Sequence, residues 1–76
     1  MPAMGDLGTF VRERRKELKL TLQQVGDVAG LSESAISLIE LGQRRKLQAN
    51  TVIGLARALD VDVGELLSHI DQPVPA

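Results

Sequence analysis

The chain has 76 residues, a formal net charge of −1, no cysteine and a single aromatic side chain, Phe10. A domain of this size buries only about 60% of the surface its unfolded chain exposes, so it can build one small core, with no disulfide or thiolate metal site to reinforce it. No apolar run approaches the ~20 residues of a membrane span, and the opening MPAMGDLG lacks the basic start and apolar stretch of a secretory leader. A soluble, cytoplasmic protein with no membrane partner is the expectation.

β signals are nearly missing, and the chain reads as all-α. Leu7, Phe10, Val11 and Leu18 recur at helical spacing around the charged run Arg12 to Lys16, which predicts a first amphipathic helix from about Asp6 to Lys19. Thr21 stands three residues before Gln24, the capping-box spacing, so a second helix starts there and closes by Gly30. Ser32 is the next N-cap, and Ala35, Ile36 and Ile39 mark the inward face of a third helix stopping at Gly42. After the loop QRRKL, Val52, Leu55, Ala56 and Leu59 repeat with a helical period from about Gln48 to Asp60. Asp62 and Glu65 form another capping-box pattern, opening a fifth helix with Val63, Leu66, Leu67 and Ile70. The tail QPVPA has no apolar period; residues 6–71 are expected to form the domain, with 1–5 and 72–76 as flexible ends.

Charge is segregated along the chain. Arg12 to Lys46 holds eight basic residues and five acidic ones, whereas Arg57 to Asp71 holds one basic residue against Asp60, Asp62, Glu65 and Asp71. A partner carrying phosphates would meet the first stretch rather than the second.

The second and third helices are joined by only a few residues, and two glycines control whether they can cross. Gly26 has no side chain to hold them apart, and Gly30 can take the positive φ of a sharp turn. With Val25, Ala29, Leu31, Ile36 and Ile39 at their spacings, the stretch GDVAGLSESAISLIELG reads as a helix-turn-helix.

From Leu7 to Leu67, through LGTFVRERRKELKLTLQQVGDVAG, LSESAISLIELGQRRK and LARALDVDVGELL, the sequence resembles the phage repressor and Cro class of helix-turn-helix domains, the xenobiotic-response-element family. The resemblance implies a five-helix, lambda-repressor-like domain that binds double-stranded DNA as a two-fold dimer, its third helix in the major groove. It implies base contacts from Glu33, Ser34, Ser37 and Leu38. It also implies backbone contacts from Thr21, Gln23, Ser32, Gln43, Arg44, Arg45 and Lys46, with N–H groups near Gln43 as further donors. Arg15 and Glu40 match a structural ion pair of the family. The sequence departs from the family in having Leu22 where glutamine is common, in a longer loop after Gly42 without proline, and in a third helix whose outer residues include no Arg, Gln or Asn to grip a base with two bonds.

The remaining residues offer little chemistry. Arg12 or Arg14 can point at phosphate or stay on the surface. Glu65 and His69 stand four residues apart but lack a third metal ligand nearby, leaving His69 as a surface residue or a dimer contact. Ser68, His69 and Asp71 are neighbours on one helix and cannot converge as a triad. No enzyme, cofactor or metal is expected. The expected function is a sequence-specific transcriptional regulator, most simply a repressor acting as a homodimer on a near-palindromic operator, with Val63, Leu67 and Ile70 at the dimer interface. The rival is a protein-interaction module, antitoxin-like or otherwise, that has lost base readout and binds a protein partner through its acidic end.

Overall fold

The computed structural model describes residues 7–44 and 47–69. Asp6, Arg45, Lys46, Ile70 and Asp71, together with both expected flexible ends, lie outside the described residues. The described part contains five helices and no strand: α1 (Leu7–Glu17), α2 (Leu22–Ala29), α3 (Glu33–Glu40), α4 (Ala49–Leu59) and α5 (Val63–Leu67).

Each helix turns one apolar stripe inward, because i, i+3 and i+4 residues share a face. Leu7 and Val11 of α1, Val25 of α2, Ile36 and Ile39 of α3, Val52, Leu55 and Leu59 of α4 and Leu66 of α5 meet in a single core. α2 lies across α4, α3 fits between α1 and α2, and α5 leans on α4. No described polar or charged residue belongs to this core.

α1 stops at Glu17, two residues short of the expected end. Lys19 adopts the left-handed conformation, φ 59°, and the turn closes through the Leu20 N–H donating to the Arg15 carbonyl at 3.0 Å. A non-glycine residue there costs roughly 1–2 kcal/mol, offset by satisfying carbonyls that the helix end would leave open. α3 is helical through Glu40, after which Gly42 takes φ 79°.

The fifth helix departs furthest from expectation. Asp62 is its N-cap residue, but its side chain makes no capping bond, so the anticipated box with Glu65 does not form. Only Leu66 is buried; Val63 is 37% and Leu67 42% exposed. Five residues also fall well short of the length at which a helix holds itself together, so contacts from elsewhere must support it.

Candidate nucleic-acid interface

The two helices that would meet DNA are each started by a side chain. The Thr21 hydroxyl accepts from the Gln24 N–H at 3.0 Å while the Thr21 N–H donates to Gln24 Oε1 at 2.8 Å, a complete capping box. Ser32 Oγ accepts from the Ala35 N–H at 3.1 Å. In both caps the oxygen is used as an acceptor, which leaves the hydroxyl proton able to donate to a phosphate oxygen. The first-turn N–H groups of α2, at Leu22 and Gln23, precede the reach of the intrahelical ladder and add donors of the kind that favour anions.

The joint is as tight as its glycines permit. Gly30 sits at φ 76°, and the Leu31 N–H donates back to the Gly26 carbonyl at 2.8 Å. A Cβ on Gly26 would collide with the Leu31 carbonyl oxygen. Two further close approaches went unread in the sequence: a Cβ on Gly8 would meet the carbonyls of Ile39, at 2.7 Å, and Glu40, and one on Gly54 would lie 2.8 Å from the Ala29 carbonyl. The available signal was glycine inside a helix, a costly placement that usually marks close backbone packing.

On α3, Glu33, Ser34 and Leu38 are exposed and Ser37 is half-buried, so these side chains share the face opposite Ala35, Ile36 and Ile39. Leu41, the next residue round on that face, is exposed as well. Thr21, Gln23, Ser32, Gln43 and Arg44 are all exposed at the rim. The N–H groups of Gln43 and Arg44 are not available for phosphate, however, since both donate to the Leu38 carbonyl, at 3.0 and 3.2 Å. From this loop, contact falls to the side chains. Leu22 is partly buried and packs its side chain against the core, which explains why an apolar residue is tolerated where a polar one is common.

Arg15 and Glu40 lock α1 to the end of α3. Arg15 Nε donates to Glu40 Oε2 at 2.6 Å and Nη2 to Oε1 at 3.1 Å, while Nη1 donates to the Leu20 carbonyl at 3.0 Å. Their side chains are only 15% and 7% exposed. The bond from Glu40 raises the guanidinium pKa above its ordinary value, helped by the carboxylate's charge and opposed by burial. A guanidinium pKa raised on folding means that the guanidinium's own titration removes the contribution only as pH rises through the raised value.

Arg14 corrects the sequence reading. Arg14 is not a phosphate ligand: Nε donates to the Leu59 carbonyl at 2.9 Å, Nη2 to the Asp60 carbonyl at 3.2 Å and Nη1 to Glu17 at 3.2 Å. His69 is half-buried, and its ring stacks on Phe10 with centroids 4.1 Å apart and planes 13° from parallel. Arg12 remains exposed. Among the described residues no group of three or more His, Asp or Glu could hold a metal ion, and no helix is long and apolar enough to cross a membrane.

A helix-turn-helix family model matches residues 11–66. The chain belongs to the Cro/C1-type helix-turn-helix family, whose members are DNA-binding transcriptional regulators. It is 35% identical over 65 residues to the HTH-type transcriptional regulator RghRB of Bacillus subtilis (strain 168), covering 86% of this chain but 47% of that protein, so it spans about half the relative's length. Its fold is similar to that of the restriction-modification controller protein C.AhdI from Aeromonas hydrophila, with a TM-score of 0.72 and 32% identity over 79% of this chain and 89% of the other. The P22 c2 repressor, solved with a synthetic operator, superposes with a TM-score of 0.74 at 30% identity, covering 80% of this chain and 91% of that one.

Proposed function

We propose that this chain binds double-stranded DNA in a sequence-specific manner and represses transcription as a homodimer on a near-palindromic operator, with α3 in the major groove. One observation carries the reading: the outer face of α3 is spared from the core and is flanked by the hydroxyl caps of two helix starts and by the exposed Arg44. Thr21, Gln23, Ser32, Gln43 and Arg44 would hold the sugar-phosphate backbone, as would Arg45 and Lys46. Glu33, Ser34, Ser37 and Leu38 would face base edges, Glu33 accepting from a cytosine amino group and Leu38 touching a thymine methyl. With no long polar side chain on α3 to make a two-bond base contact, sequence-dependent DNA shape would carry part of the specificity. Val63 and Leu67 supply exposed apolar surface on α5 for the two-fold contact, with Ile70 as a further candidate.

The absence of strong base readers, together with the exposed Leu38 and Leu41, favours the rival of a protein-binding module enough to require a direct test. Fluorescence anisotropy with labelled duplex across a salt series separates the two. A DNA-binding protein loses affinity steeply with salt, and Arg44→Ala should weaken binding to all sequences alike and flatten the log–log slope by about one unit. No measurable duplex binding at low salt would overturn the DNA reading in favour of the protein-binding one.

A further inference from the structure

We infer that Arg14 is a positioning residue that sets the pose of α5 and thereby the spacing between the two DNA-reading helices of the dimer; the second half of this rests on the dimer reading above. The α4–α5 joint is poorly held by its own chain. Its pivot, Asp60, is in the left-handed conformation at φ 57°, where glycine would be usual, and α5 has neither a side-chain cap nor more than one buried residue. The joint is instead gripped from α1. The Arg14 guanidinium forks onto two consecutive carbonyls, those of Leu59 and Asp60, one on each side of the Asp60 Cα at which the chain turns.

A planar fork with bonds in fixed directions restrains orientation as well as distance, which a single ammonium cannot do. The third arm, to Glu17, anchors the guanidinium on its own helix. One turn before Arg14 on α1, Phe10 stacks on His69 just past the end of α5. The same face of α1 therefore holds α5 at both ends, through Arg14 at the entrance and Phe10 at the exit. Glu13, Glu17, Asp60 and Glu65 line the shallow groove around this grip, so the cation is engaged among carboxylates and phosphate is disfavoured there. Val63 and Leu67, the residues offered to a second copy, ride on the helix so held.

The test uses the full chain as wild type, Arg14→Ala, Arg14→Lys, Phe10→Leu and Leu67→Ser. Three quantities are read: the His69 imidazole proton shifts by NMR, which report ring current from Phe10; the dimer dissociation constant by sedimentation equilibrium; and affinity at low salt for a mixed-sequence duplex of about 12 base pairs, too short for two half-sites centred one helical turn apart. In Arg14→Ala the His69 shifts should move to those of Phe10→Leu, and the dimer should weaken about tenfold, the size of one charge-assisted hydrogen bond lost. Short-duplex affinity should stay within about twofold. Arg14→Lys should recover part of both losses, and Leu67→Ser should lose the dimer with the His69 shifts unmoved. Unchanged His69 shifts in Arg14→Ala, an unchanged dimer constant, or a short-duplex loss equal to the dimer loss would overturn the inference. A wild type that is monomeric at micromolar concentration would instead overturn the dimer reading and the spacing role with it, leaving the His69 shifts to decide whether Arg14 positions α5.

Discussion

The α2–α3 unit and the α4–α5 unit are both helix pairs joined by a short turn, yet they are held in opposite ways. In the first, each helix start is closed by its own N-cap residue, Thr21 or Ser32, the turn uses glycine at its left-handed position, and the backbones touch at Gly26. In the second, neither Gln48 nor Asp62 makes a side-chain cap, the left-handed position holds aspartate, and the stabilising bonds arrive from Arg14, forty-five residues away in sequence for the bond to Leu59. The joint of the candidate DNA surface is locally determined, although the far end of α3 is also tied to α1 through Arg15 and Glu40. The end that carries the candidate dimer contacts is determined by long-range ties, and a change on α1 can reach it.

That contrast predicts graded consequences. The largest loss of stability should follow from Glu40→Gln, which keeps the side chain's shape but leaves the Arg15 guanidinium without its counter-charge; about 3 kcal/mol is expected by chemical denaturation. A loss below about 1 kcal/mol would mean that the pair behaves as an exposed one and that α3 is held by packing alone.

Next come two glycines, one from each unit. Gly26→Ala forces a methyl against the Leu31 carbonyl and should cost about 1–3 kcal/mol. Gly64→Ala meets nothing within 4 Å and should stabilise the protein by about 0.5 kcal/mol, since alanine loses less backbone freedom in a helix. Thermal melts of the two variants moving in the same direction would erase the difference between the units.

Glu33→Gln should cost a similarly small amount of stability, about 0.3–1 kcal/mol from the weakened interaction with the start of α3. Its value lies in binding. Affinity for arbitrary duplex should rise modestly as repulsion from phosphate falls, while discrimination at one base pair per half-site drops by about 1–3 kcal/mol. Equal gains on every operator variant would leave Glu33 as a helix-start carboxylate and shift base reading to Ser34, Ser37, Leu38 or DNA shape.

By itself the sequence determined the number and order of the helices, the two caps of the helix-turn-helix, the glycine turn and the inward stripe of α3, because each depends on residues within a few positions of one another, where side-chain spacing and backbone sterics dictate the outcome. It also supplied the outer face of α3, as the complement of its apolar positions. It misread the Asp62–Glu65 box, since spacing permits a capping bond but does not require one, and it left Arg14 among the possible phosphate ligands. Only the tertiary structure decided that Arg14 turns to the carbonyls of Leu59 and Asp60, that Phe10 meets His69, that the Gln43 and Arg44 N–H groups are already used by Leu38, and that Gly8 and Gly54 are sites of backbone approach. Most of these join groups from different helices, and the loop's bonds arise from how the chain folds back on the end of α3. A side chain's partner at such distances is set by how the core packs, which no local pattern encodes.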